Sequence, residues 1–380
     1  MNVQKIEITT WRLRHTRRQA SEALPASSVP CLLYQPPNTP RAMLKTTTRL
    51  AKASRSIHHA SSIVPNAPKI DTLYCDIDNV PLENFRQRAF IPEKPIRIIQ
   101  DRDSPRKNTA QAQSLLPAQQ KWFSHDSSPT QPGVPSLPGA NLVPSQEYLS
   151  AFADTILPYE LILPPKNKSA PGPPKISNAQ DEVSQVIASL LARSPDATFH
   201  RFNAPLSLFL HAYKDSPRPR ERLYIAQAQI ADLPVQMRDD LPVPRIVREA
   251  GKGDVYDANI WMGVPPTYTP LHKDPNPNLF VQLAGWKRVR LFTPGVGLGI
   301  FRGVQGKIGQ QASAVFRGEE MMEGPERDVL HEDVWSRDAR MECFEVDVGP
   351  GEALFIPKGW WHSIKSIGPA VTASVNWWFR

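Results

Sequence analysis

Residues 271–292 read LHKDPNPNLFVQLAGWKRVRLF, and the reading of this stretch decides the fold. It holds two short β-rich runs, NLFVQLAG and WKRVRLF, bounded by Pro and Gly, the pattern of adjacent strands rather than of a helix. Working outward, the same pattern recurs in VYDANIWMGV (255–264), CFEVDVG (343–349), EALFIP (352–357) and AVTASVNWWF (370–379). Many short strands with such punctuation predict an antiparallel barrel or jelly roll over residues 254–380, an architecture that holds ligands inside.

In an extended segment, residues i and i+2 face the same way, so His272 and Asp274 both point into the predicted barrel. Ninety residues on, GWWHSI places His362 at the end of another strand. Two imidazoles and one carboxylate on one side of an iron leave positions open for a co-substrate and O2. An isolated H-x-D is better explained by an exposed turn, so the reading needs support from elsewhere. Alternation gives it, by putting Lys287 on one face with Val289 and Leu291, opposite Trp286, Arg288, Arg290 and Phe292. An inward ammonium needs an anion, and a bound dicarboxylate would supply it; a lysine snorkelling to water is the alternative. Asn278, Phe280 and Gln282 share parity with His272 and Asp274, and a ligand carboxylate or amide is a natural partner for Asn278 and Gln282. Asn376 and Trp378 share a face of the last strand and can close the pocket, whereas most of Trp360, Trp361, Trp377 and Trp378 read as core.

Ahead of the barrel the chain is rich in proline, with 40 in all, and mixed in pattern. Residues 101–145 and 164–176 read as loops or linkers. PEKPIRIIQ reads as a strand and EYLSAFADTILPYELIL as a helix running into a strand. Ser177 to Gln180 forms a capping box ahead of a helix whose apolar residues are Val183, Val186, Ile187, Leu190 and Leu191. The predicted class is therefore α+β, mainly β: a double-stranded β-helix with N-terminal helices packed against it, residues 71–253 forming its mixed N-terminal part.

The net charge of +8 does not describe the body of the protein. Residues 1–70 hold eleven of the 45 Lys and Arg and two of the 37 Asp and Glu, leaving 34 basic and 35 acidic residues beyond them. A specific nucleic-acid surface is therefore not expected there. Three dispersed cysteines give neither a disulfide framework nor a zinc site. No run reaches the ~18 apolar residues needed to cross a bilayer, so a membrane protein is not expected.

The quoted residues, with GEALFIPKGWWHSI (351–364) and SVNWWF (374–379), resemble the JmjC-domain oxygenases, in the branch of small JmjC hydroxylases and the asparaginyl hydroxylase of the hypoxia pathway. The match is close over about 254–380 and weaker back to about 71. The resemblance implies that His272, Asp274 and His362 bind Fe(II) and that Lys287 holds the distal carboxylate of 2-oxoglutarate. It implies that Thr269 and Tyr224 hydrogen-bond the same carboxylate, that Asn278 and Asn376 line the co-substrate pocket, and that Trp261 and Gln227 stand near the substrate entrance. O2 is the expected second co-substrate and ascorbate the reductant in vitro. The implied activity is hydroxylation of a protein or peptide substrate, with N-methyl demethylation or a non-oxygenase metal-binding cupin as alternatives.

From Met43 the chain reads MLKTTTRLAKASRSIHHASS, basic, hydroxyl-rich and free of acid, the composition of a mitochondrial presequence. A start at Met43 rather than Met1 would place it at the N-terminus; a basic tail without an address, on a nuclear or cytoplasmic protein, is the alternative. Mass spectrometry of the endogenous protein is expected to find a mature end beyond Met43, and an end before it would contradict import.

Overall fold

The computed structural model describes residues 68–100, 116–126, 141–162, 182–194, 197, 199–214, 219, 222–309, 324–335 and 343–380. Residues 1–67 of the basic leader, the 164–176 linker and the Ser177 to Gln180 capping box lie outside the described residues. Among the described residues no helix is long and apolar enough to cross a membrane.

The strands are β1 (Asp71–Tyr74), β2 (Ile96–Ile99), β3 (Phe123–His125), β4 (Leu142–Pro144), β5 (Ile156–Ile162), β6 (Phe199–Pro205), β7 (Arg222–Gln229), β8 (Val255–Gly263), β9 (Tyr268–Lys273), β10 (Asn278–Ala284), β11 (Trp286–Phe292), β12 (Phe344–Val348), β13 (Ala353–Ile356), β14 (Trp361–Ile367) and β15 (Thr372–Phe379). A nine-stranded sheet runs β1-β2-β13-β10-β15-β8-β7-β5-β6, and a four-stranded sheet runs β12-β11-β14-β9. Strands β8 to β15 are thus shared four and four between two facing sheets, with antiparallel pairing throughout: the predicted jelly roll. Strands from before residue 254 extend its larger sheet at both edges.

The quoted stretch forms β10 and β11, joined at Gly285, which has φ +64°. A Cβ there would collide with the Val371 carbonyl, so this one-residue crossing between sheets requires glycine. All seven residues of β10 are buried, because each of its faces meets a different core. Leu279, Val281 and Leu283 pack in the large core with Phe85, Trp122 and Met237 from the N-terminal segments. Phe280 packs inside the barrel with Val289, Leu291, Leu354 and Ile356. Burying such a side chain contributes roughly 1.5–3 kcal/mol, and a one-residue slip of β10 would turn both sets to the wrong core. A third core, with Leu271, Phe292 and Trp361, lies on the outer side of the smaller sheet under helices Pro294–Ile308 and Gly324–Trp335.

The expectation that residues 101–145 are loop or linker is corrected in part. Residues Pro117–Lys121 form a helix, and β3 pairs with β4. The cause is a buried carboxylate: Asp240 is fully buried and accepts hydrogen bonds from Trp122 Nε1 (2.9 Å), Lys121 Nζ (2.5 Å) and Tyr148 Oη (2.5 Å). Three sequence-distant segments are thereby tied together, and loss of the acceptor leaves buried donors unsatisfied. Asp240→Ala is expected to lower unfolding free energy by about 3 kcal/mol in urea titration; a change under about 1 kcal/mol would contradict this role.

Candidate metal centre

The site lies where β9 ends and β14 begins. His272 and His362 are cross-strand partners, and their rings are 4.2 Å apart between centroids. Asp274, just beyond β9, places Oδ1 3.9 Å from His272 Nε2 and Oδ2 3.6 Å from His362 Nε2. All three side chains are buried, and one ligand atom from each lies within 4.8 Å of the others.

The local backbone selects which nitrogens face the centre. His272 Nδ1 is 2.9 Å from the Pro270 carbonyl and His362 Nδ1 is 3.4 Å from the Trp360 carbonyl. A carbonyl only accepts, so Nδ1 carries the proton in each ring and Nε2 presents a lone pair toward Asp274. Burial, reinforced by His272 and opposed by Asp274, pushes the His362 imidazolium down to about 4, so that ring is neutral at pH 7. Asn278 Nδ2 donates to Asp274 Oδ2 (2.9 Å), and Asn376 Nδ2 donates to Asn278 Oδ1 (3.0 Å). This relay fixes the carboxylate's orientation. Two imidazoles with Nε2 turned inward and an oriented carboxylate, converging and buried, are a donor set that fits a ferrous ion.

The donors open into a cavity of about 470 Å3, mouth included. Its walls include Tyr224, Gln227, Trp261, Thr269, Asn278, Lys287, Asn376 and Trp378 together with the three donors, so the site residues named from the sequence, Gln282 excepted, line one pocket. Lys287 is 3% exposed, which removes the snorkelling alternative. Its Nζ donates to Ser374 Oγ (2.9 Å) and lies over the rings of Phe280 (5.4 Å) and Tyr224 (6.0 Å). Burial pushes its ammonium down to about 7. Burial first, and Glu160 second, raise the Tyr224 phenol, which therefore stays protonated as a donor.

One expectation is corrected here. Gln282 is inside the barrel but not in the pocket wall. Its Nε2 donates to the carbonyls of Ala284 and Gly285 and to Thr372 Oγ1, so it braces the sheet crossing instead of meeting a ligand. Ser374, not singled out from the sequence, holds Lys287; its parity with Asn376 and Trp378 is the signal that would have found it.

Fold and donors together define a jelly roll with, among the described residues, one buried candidate metal site that shares its pocket with a buried lysine. The model of the cupin-like domain family matches residues 175–380, and the chain belongs to that family, in its JmjC Fe(II)/2-oxoglutarate oxygenase branch. It is similar to lysine-specific demethylase JMJ30 of Arabidopsis thaliana, 28% identical over 160 residues, 42% of this chain and 34% of the relative. It is also similar to lysine-specific demethylase 8 of Danio rerio, 29% identical over 158 residues, 41% of this chain and 36% of that one. HSPB1-associated protein 1 homolog of Danio rerio is 32% identical over 130 residues, 33% of this chain and 26% of the relative. The chain thus spans about a third or less of the length of these curated relatives.

The depressed Lys287 ammonium sets a stability prediction. Its folded pKa, about 7, lies below the ordinary ~10.4 of the unfolded chain, so the empty protein gains stability as pH rises from about 7 toward 10 and is penalised below 7. Lys287→Met is expected to raise the stability of the ligand-free protein at pH 6 by roughly 1–3 kcal/mol, read by thermal unfolding. A destabilised variant would contradict an uncompensated cation.

Proposed function

We propose that this chain is a 2-oxoglutarate-dependent dioxygenase that hydroxylates a side chain of a protein or peptide. In this reading His272, Asp274 and His362 hold Fe(II) through Nε2, a carboxylate oxygen and Nε2. Lys287, Thr269 and Tyr224 receive the distal carboxylate of 2-oxoglutarate, Asn278 and Asn376 line its course, and Gln227 and Trp261 flank the incoming substrate. The observation that carries the proposal is a lysine amine buried to 97% that donates to a serine hydroxyl, in the same cavity as three convergent candidate metal donors. A dicarboxylate is the ligand that answers both features at once.

When bound, Fe(II) and 2-oxoglutarate supply the oxidative chemistry: O2 is consumed, succinate and CO2 form, and one oxygen atom enters a C–H bond. The protein's own part is positional. The Nδ1 contacts to backbone carbonyls hold both imidazoles with Nε2 aimed at one point, the Asn376–Asn278 relay keeps the Asp274 carboxylate turned to the same point, and burial excludes water. A second reading, oxidation of an N-methyl carbon, draws on the relatives named as lysine-specific demethylases.

Purified protein with Fe(II), ascorbate and 2-oxoglutarate is expected to release succinate. His272→Ala or Asp274→Ala should lower the rate by more than about a hundredfold. No turnover and no 2-oxoglutarate binding would leave a non-oxygenase cupin instead. With candidate peptides, mass spectrometry is expected to show a gain of oxygen; loss of a methyl group would favour demethylation.

A further inference from the structure

On the outer side of the smaller sheet, away from the pocket, β14 carries a second lysine. Lys365 is half-buried, and its Nζ is 2.7 Å from Nε2 of His331 on helix Gly324–Trp335. It lies 4.4 Å from the ring centroid of Trp335 on the same helix and 5.6 Å from that of Tyr268, its cross-strand partner on β9. Cations surround it: Arg327 stacks over Tyr268 at 5.2 Å, Arg290 over Trp335 at 4.7 Å, and Arg288 is its cross-strand neighbour on β11. The nearby carboxylates are engaged elsewhere, Asp347 with Arg288, Glu345 with Arg290 and Asp328 with Arg327. Among the described residues no carboxylate lies within ion-pair distance of Lys365.

We propose that Lys365 is a nucleophilic amine and a site of acyl modification, with His331 as the acceptor of its proton. The amine lone pair attacks the carbonyl carbon of an acyl thioester, an amide C–N bond forms, the C–S bond breaks and the thiolate leaves. The proton lost by nitrogen passes to His331 Nε2 and from there to the thiolate or water. No oxidant or reductant is needed.

Two conditions for this chemistry are met. The nucleophile must be neutral: burial, with repulsion from Arg290 and Arg327, pushes Lys365 down to about 8, so at pH 8 about half is free amine, against under about one per cent of an ordinary lysine. The acceptor must be neutral too: burial first, then Lys365 and Arg327, lower His331 below its ordinary value, with Asp328 opposing. His331 is exposed, so a thioester can approach from solvent. Acylation would remove the charge stacked on Trp335, whose indole donates to Ser363 Oγ (2.8 Å) beside His362.

The test uses the full chain and the acetyl thioester of N-acetylcysteamine, with acetylation of each lysine quantified by peptide mass spectrometry between about pH 6.5 and 10. Lys365 should react about tenfold or more faster than the exposed Lys252 and Lys358 at pH 7.5, with a rate that levels off near pH 8. His331→Gln keeps a hydrogen-bond acceptor but no base, and should slow Lys365 about tenfold while Lys252 is unchanged. A Lys365 rate equal to that of the exposed lysines, a profile still rising to pH 10, or an unaltered rate in H331Q would overturn the proposal. The wild-type pH profile decides even if the variant folds poorly.

Discussion

The site depends on one uncomfortable charge. Lys287 carries its amine into the barrel, where Ser374 and two aromatic faces meet it and burial disfavours its ammonium. A structure held together by apolar packing gains nothing from such a group, which makes it the clearest sign that the cavity is shaped for something negative. The two sheets keep it there: Lys287, Val289 and Leu291 alternate inward on β11, and their apolar neighbours are the same residues that close the barrel core.

The metal donors obey a related economy. Each histidine spends Nδ1 on a backbone carbonyl two residues upstream, a bond available because the strands are extended there, and so presents Nε2 to the centre. Asp274 lies beyond the strand end, where alternation no longer fixes its direction, and the amides of Asn278 and Asn376 do so instead. Cavity, cation and donors therefore share one source of order, the register of β9, β10, β11, β14 and β15.

Much of this was legible in the sequence because it follows strand parity. The i, i+2 pair His272 and Asp274, the inward Lys287, and the pair Asn376 and Trp378 line the same cavity, with Asp274, just past the strand end, held in that direction by the Asn278 amide. Parity alone fails at Thr269 and Tyr224. Thr269 and His272 are three apart yet line one pocket, because three steps on β9 oppose two on β14 in an irregular register. Tyr224 and Gln227 are likewise three apart, and a register shift in β7 with Gln227 at φ 55° brings both inward. Bulges leave little trace in a single sequence, so only the family resemblance points to these residues. The hydrogen bonds of Asp240 were illegible for another reason: its donors come from residues 121, 122 and 148, and no local pattern announces a partner so distant.

The most direct test of the central claim is metal stoichiometry coupled to co-substrate. Equilibrium dialysis of Mn(II), a redox-silent stand-in for Fe(II), would be run against the wild type and Asp274→Ala, with and without 2-oxoglutarate. The account predicts one ion per chain, bound more tightly when 2-oxoglutarate is present, and loss of both effects in the folded variant. Failure to bind a stoichiometric ion, or binding indifferent to both Asp274 and 2-oxoglutarate, would contradict it.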